Sequence, residues 1–153
     1  MGRKSAGLLM YRHKAGILEV FLIHPGGPYW RKKDFGCWSI PKGECLENEE
    51  PFDAARREFE EETGLIPRGE FVELTEIKQT GGKRVKAWAF AGDCDPSKIK
   101  SNTFLLEFPP HSGKYQNFPE VDRADWFSIE DAKIRIVKGQ IALLDELQQF
   151  LNR

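Results

Sequence analysis

Between Gly43 and Leu65 the chain reads GECLENEEPFDAARREFEEETGL, and four of the five residues from Glu58 to Glu62 are glutamates. Phe52, Ala55 and Phe59 recur at i, i+3 and i+7, which predicts a helix with one apolar face over residues 51–63. Pro51 suits its first position and Gly64 the position just past its end. At 3.6 residues per turn, Glu58, Glu61 and Glu62 share a face beside that stripe, and Glu60 points to solvent. Such a helix repels itself. Like charges at i, i+4, as in Glu58 and Glu62, cost about 0.2–0.5 kcal/mol. The macrodipole disfavours anions near its C-terminal end by roughly 0.3–1 kcal/mol each. Arg56 and Arg57 offset part of this, Arg57 by reaching Glu61 at i+4. A solvated acidic face is the ordinary reading of a charge run. The alternative is a hard divalent cation held by the clustered carboxylates, and Mg²⁺ is the usual ion for that role.

The same residues resemble the Nudix box: a glycine, five residues, a glutamate, seven residues, then Arg-Glu-apolar-any-Glu-Glu-any-Gly-apolar. Gly43, Glu49, Arg57, Glu58, Phe59, Glu61, Glu62, Gly64 and Leu65 match it in register. The resemblance implies an α/β protein with the Nudix fold, a mixed β-sheet sandwiched between α-helices. It also implies Mg²⁺-dependent hydrolysis of a phosphoanhydride in a nucleoside diphosphate linked to another moiety, with Mn²⁺ as a substitute ion.

Length and composition narrow the field. A chain of 153 residues, 40% apolar and 31% charged, is expected to form one domain over residues 1–153. The net charge of −1 argues against stable nucleic-acid binding. The charge is unevenly placed. Residues 1–43 hold eight Lys/Arg against two Asp/Glu, and residues 44–77 hold three against twelve. A basic segment followed by an acidic one suits a site that grips phosphates with one and a metal with the other. The three cysteines, Cys37, Cys45 and Cys94, show no CxxC spacing, so neither a disulfide framework nor a zinc site is expected, and a cytoplasmic location is. No apolar run approaches the about 18 residues of a membrane span. The N-terminal residues lack a signal-peptide core. Met1-Gly2 resembles a myristoylation start, but Ala6 stands where that motif needs Ser or Thr. A monomer or homodimer is expected.

Along the chain, residues 6–11 and 17–24 read as strands around a Lys14-Ala15-Gly16 turn. A loop over residues 25–36 follows, PGGPYWRKKDFG. Its Arg31, Lys32 and Lys33 suit a phosphate clamp, with Tyr29 and Trp30 as a stacking surface; a plain surface loop is the alternative. WSIPKG, residues 38–43, leads into the box. By resemblance the Lys42 carbonyl belongs among the metal ligands, and the Lys42 side chain is a candidate phosphate contact. Residues 70–79 and 83–91 read as a hairpin about Thr80-Gly81-Gly82, with Trp88 and Phe90 in the core. Residues 102–108 suggest a strand, and residues 109–119 an eleven-residue loop offering Lys114 and Tyr115 to substrate. The resemblance places one more metal-site glutamate ahead of Trp126; Glu120 fits best, with Asp122 and Glu107 as rivals. Ser128 and Asp131 suggest a capped helix. A last helix over residues 139–151 buries Ile141, Leu144, Leu147 and Leu151 at helical spacing.

Glu58 and Glu62 are therefore the preferred metal ligands, with Glu61 and Glu120 beside them. Glu58, Glu61 and Glu120 remain alternatives for the general base, and Arg57 is assigned to orienting Glu61. WSIPKGE is similar to the run found in Nudix hydrolases of dinucleoside polyphosphates and of diphosphoinositol polyphosphates, and the Arg31–Lys33 cluster suits a long polyphosphate chain, so diadenosine tetraphosphate is the favoured substrate. ADP-ribose or nucleotide sugars, nucleoside triphosphates and inositol pyrophosphates are alternatives within the family. A Nudix-fold nucleotide-binding module without turnover is the alternative of another class, but such modules usually lack box glutamates, and here all are present.

Overall fold

The computed structural model describes residues 4–152, apart from the Thr80 side chain; Met1-Gly2 lies outside the described residues. The chain orders a mixed sheet from β1 (Lys4–Lys14), β2 (Ile17–Pro25), β3 (Lys42–Glu44), β4 (Val72–Glu73), β5 (Ile77–Lys78), β6 (Arg84–Ala91) and β9 (Val121–Ser128). The strands run β4-β6-β1-β2-β9, with β3 added to β1 and β5 to β6. β6 is parallel to β1 and the other pairings are antiparallel. β7 (Thr103–Glu107) and β8 (Tyr115–Pro119) pair only with each other, as a separate hairpin.

Helices cover both faces of the sheet. α1 (Pro51–Thr63) lays Ala54, Ala55 and Phe59 on one, against Leu8, Met10, Phe21 and Phe90. α2 (Ile129–Arg135) and α3 (Ile141–Leu151) cover the other, where Leu143, Leu144 and Leu147 meet Leu9, Val20, Leu22 and Ala89. β1 is thus covered on both sides, which is why Leu8, Leu9 and Met10 are all apolar rather than alternating. Burying a side chain such as Phe59 contributes roughly 1.5–3 kcal/mol. No helix among the described residues is long and apolar enough to cross a membrane.

The expected signals for α1 are in place. Pro51 opens the helix, and Gly64 closes it at φ 78°, its N–H donating to the Glu60 carbonyl. The first turn of the chain also holds: Ala15 and Gly16 take φ of 51° and 78°, the type I′ geometry whose twist matches flanking strands. Ser128 caps α2, its hydroxyl accepting from the Asp131 N–H at 3.2 Å.

Three expectations need correction. The span 109–119 is not one long loop, because residues 115–119 form β8. Its flanking prolines read as loop punctuation, and its pairing with β7, far from the core, leaves no strong apolar alternation to read. The 70–79 strand is two short pieces, interrupted where Thr75 turns to α3 and its N–H donates to Glu146 at 2.8 Å. The last helix starts at Ile141, after a 3₁₀ turn over Lys138–Gln140.

Candidate active site

α1 packs against β3 so closely that the two share a surface of backbone and carboxylate. Gly43 lies against Glu58, and a Cβ added there would fall on the Glu58 carboxyl group. The box glycine thus leaves room for the Glu58 carboxyl beside the backbone, and its φ is not left-handed. One turn further along α1, the Glu62 carboxylate accepts from the Lys42 backbone N–H at 2.9 Å.

Arg57 organises the acids around itself. Its Nε and Nη2 donate to both oxygens of Glu49, at 2.9 and 3.0 Å. Its Nη1 donates to Glu58 at 2.7 Å and to Glu61 at 3.2 Å, and Nη2 also reaches the Glu44 carbonyl. The expected Arg57–Glu61 contact exists, but the bidentate partner is Glu49. The Glu49 carboxylate also accepts from the Leu46 N–H. Arg57 first, then this second bond, draws the Glu49 pKa down to about 2. No helical periodicity links residues 49 and 57, because Glu49 lies in the loop before α1. Only its place in the box pointed to it.

The remaining carboxylates behave differently. Burial pushes the Glu62 pKa up to about 8; the Lys42 N–H works against this, while the charges of Glu58 and Glu120 add to it. Glu58 is also raised. Burial outweighs its bond to Arg57, and Glu61 and Glu120 add repulsion. A cavity of about 170 Å³ brings Glu62, Glu120 and Lys42 together with Pro25, Ser39 and Ile40. Two carboxylates, Glu62 and Glu120, thus share a small space, with Glu58 one turn before Glu62 on α1, although among the described residues no three such groups close on a common point. Their hard oxygen donors fit Mg²⁺. Lys42 is lowered, by burial first and then by the nearby charge of Lys83, a residue not singled out from sequence.

Glu120 reaches this cavity through backbone contacts that no local pattern encodes. Its carbonyl accepts from the Gly26 N–H at 2.9 Å, and its own N–H donates to the Asn102 carbonyl at 2.8 Å. The Asn102 N–H in turn donates to the Glu61 carbonyl at 2.9 Å. A Cβ on Gly26 would strike the Pro119 carbonyl. Its two sequence rivals are committed elsewhere. Glu107 accepts the N–H groups of His111 and Gly113 in its own hairpin. Asp122 bonds the Nδ1 of His24 at 2.8 Å, and the other ring nitrogen of that buried histidine bonds the Lys33 carbonyl.

On the opposite side, buried Gln140 accepts from the Ile40 N–H at 3.0 Å and donates to Ser39 and Gln79. That network fixes the approach to Pro41 and Lys42 and was also missed, since a single glutamine carries no pattern. The cations Arg31, Lys32 and Lys33 line a different cavity, with Pro28 and Tyr29, and are not in the lining of the Glu62 cavity. Lys114 and Tyr115 lie at the tip of the β7–β8 hairpin, exposed and outside the lining of the Glu62 cavity.

Comparison with known proteins identifies the family and the fold. The NUDIX domain model fits residues 1–147. The chain is 32% identical over 127 residues to an RNA pyrophosphohydrolase of Xylella fastidiosa, covering 77% of this chain and 64% of that protein. To the RNA pyrophosphohydrolase of Bartonella henselae it is 39% identical over 67 residues, covering 41% and 36%. It thus spans less than two thirds of either relative's length. A C. elegans Ap4A hydrolase, solved as a binary complex, superposes with a TM-score of 0.64 at 25% identity over 98% of both chains. The NUDIX domain of Shewanella oneidensis NrtR, solved with ADP ribose, superposes at 0.70 with 13% identity over 99% of this chain and 89% of that one, a likeness of fold.

Proposed function

The chain belongs to the Nudix family, and on that premise we propose that it is a divalent-cation-dependent pyrophosphohydrolase. It cleaves a phosphoanhydride in a nucleoside diphosphate linked to another moiety, with dinucleoside polyphosphates such as diadenosine tetraphosphate preferred. The observation that carries this reading is the arrangement of acids on α1 and beside it: Glu62 and Glu120 line one cavity with Lys42, and Arg57 holds Glu58 and Glu61 on the same helix.

Glu58, Glu62, Glu120 and the Lys42 carbonyl are the groups that would hold Mg²⁺, with Glu61 beside them. An ion held there would neutralise phosphate charge and make water a better nucleophile. The protein's own residues do the rest. Arg57 fixes Glu49, Glu58 and Glu61 in one arrangement, so the site is ordered before substrate arrives. Glu58, Glu61 and Glu120 are the candidates for the base that takes the proton from water. The Lys42 ammonium meets a phosphate oxygen, and Arg31, Lys32 and Lys33 take the outer phosphates.

A second reading follows from the two relatives named RNA pyrophosphohydrolases, in which the pyrophosphate bond belongs to RNA. One panel separates the two. Diadenosine tetraphosphate, ADP-ribose, nucleoside triphosphates and a 5′-triphosphorylated RNA are incubated with Mg²⁺, and products are identified by chromatography. The preferred reading requires the fastest turnover on diadenosine tetraphosphate, and faster turnover of RNA replaces it with the second. Changing Arg31, Lys32 and Lys33 together to Ala should raise KM for diadenosine tetraphosphate far more than for ADP-ribose, since each charged contact to phosphate contributes roughly 1.5–3 kcal/mol. Ionic strength is held fixed, because salt screens exposed cations.

A further inference from the structure

His24 is fully buried near the end of β2, where three separate segments meet. Its Nδ1 is bonded to the Asp122 carboxylate at 2.8 Å and its Nε2 to the Lys33 carbonyl. A carbonyl only accepts, so Nε2 donates there. The ring also stands edge-on to Trp38, the first residue of the run leading into the box, at 5.1 Å between centroids. A buried imidazole with both nitrogens committed to other segments is a tether, because losing either partner strands a polar group away from water.

The Asp122 end is built by an irregularity in β9. His24 pairs with Arg123 but Pro25 pairs with Val121, so Asp122 is the extra residue of a bulge. Strict alternation from Trp126 through Ala124 would put Asp122 on the apolar face that α1 covers. The bulge puts Val121 there instead, and Asp122 turns to His24. Two residues earlier stands Glu120, whose carbonyl accepts from the Gly26 N–H at 2.9 Å.

The Lys33 end holds the loop over residues 26–36. The first part of that loop packs on the β7–β8 hairpin, with Tyr29 5.8 Å from Phe108 and Phe104 lying over Gly27. The Lys33 N–H donates to the Trp30 carbonyl at 2.9 Å, which closes a turn carrying Arg31 and Lys32. The Asp34 carboxylate then accepts from Trp38 Nε1 at 3.0 Å. His24 thus joins the cationic turn to the segment that carries Glu120.

We propose that His24 is a positioning residue for phosphoanhydride hydrolysis. Its bond to Lys33 sets how Arg31, Lys32 and Lys33 are presented to substrate phosphates, and its bond to Asp122 sets where Glu120 stands. What the two ends do rests on the pyrophosphohydrolase reading, whereas the tether rests on the geometry of His24. The two bonds act on different steps, the first on binding and the second on turnover.

An Asn at position 24 can place its amide nitrogen where Nδ1 stands, and a Gln where Nε2 stands, so two variants separate the bonds. His24→Asn keeps Asp122 and releases Lys33. Its KM for diadenosine tetraphosphate should rise about tenfold at nearly unchanged kcat, the weight of one weakened phosphate contact. His24→Gln keeps Lys33 and releases Asp122. Its kcat with Mg²⁺ should fall about 10–100-fold with little change in KM. Asp122→Ala, at a partly exposed side chain, should reproduce that loss of kcat, and it decides the matter where position 24 tolerates neither change. Hydrogen exchange of the free chain, read by mass spectrometry, is independent of turnover. Residues 26–36 should exchange faster in His24→Asn and at the wild-type rate in His24→Gln. The same kinetic change in both histidine variants, wild-type kcat in Asp122→Ala, or wild-type exchange of residues 26–36 in His24→Asn overturns the proposal. A wild-type chain that cleaves no anhydride contradicts the pyrophosphohydrolase reading alone, and the exchange pattern then decides the tether.

Discussion

Glu62 and Lys42 are joined by a 2.9 Å hydrogen bond from the Lys42 backbone N–H to the Glu62 carboxylate. The bond fixes the last turn of α1 to β3 while Glu62 still lines the cavity with Glu120. It is one of several backbone contacts that decide where the carboxylates stand.

Arg57 gives two of its bonds to Glu49 and holds Glu58 and Glu61 with a third nitrogen. Arg57→Ala and Glu49→Gln should therefore act alike, lowering kcat about 10–100-fold with little change in KM. Steady-state kinetics on the best substrate decides this. A rise in KM at unchanged kcat would make Arg57 a substrate contact.

Gly43→Ala tests the contact between β3 and α1. The new methyl must displace the Glu58 carboxyl or separate the two elements. Overpacking of this kind costs typically about 1–3 kcal/mol. Misplacing a metal-site group by about 1 Å can cost a hundredfold in rate. The variant should melt at a lower temperature and turn over far more slowly. Wild-type values for both would mean that Glu58 has room the packing does not show.

The pH dependence follows from Glu62, whose pKa is pushed from the ordinary 4.5 to about 8, chiefly by burial. Between those values the folded chain keeps a proton that the unfolded chain has released. Its contribution to stability is full below the unfolded pKa and is lost as pH rises through the folded one. In EDTA the melting temperature should fall between about pH 5 and pH 8, and Glu62→Gln should flatten that fall. A cation competes with this proton, so Mg²⁺ should raise the melting temperature more at the higher pH. An equally steep fall in Glu62→Gln would assign it to other groups.

What was legible from sequence is what short-range pattern encodes. Phe52, Ala55 and Phe59 marked the buried side of α1, Pro51 and Gly64 its ends, and Lys14-Ala15-Gly16 the first turn. Each signal lies within one element. Strand order was not legible, since β1 and β6 pair in parallel with more than seventy residues between Lys4 and Arg84. The Glu49–Arg57 fork, the Gln140 network and the Asn102 link depend on how separate segments meet, and no periodicity reports that. The β7–β8 hairpin was hidden for a related reason: it packs on the 25–36 loop rather than on the main core, so residues 115–119 never had to show the pattern of a half-buried strand.

The central claim is that the α1 carboxylates hold a divalent cation for anhydride hydrolysis. The most direct test is turnover of diadenosine tetraphosphate, with Mg²⁺ and with EDTA, by the wild-type chain and Glu62→Gln. Cleavage by the wild type should depend on the cation, and Glu62→Gln should lose at least about a hundredfold, with the circular-dichroism spectrum unchanged. Cleavage by Glu62→Gln at the wild-type rate with Mg²⁺, or undiminished cleavage by the wild type in EDTA, would contradict the claim.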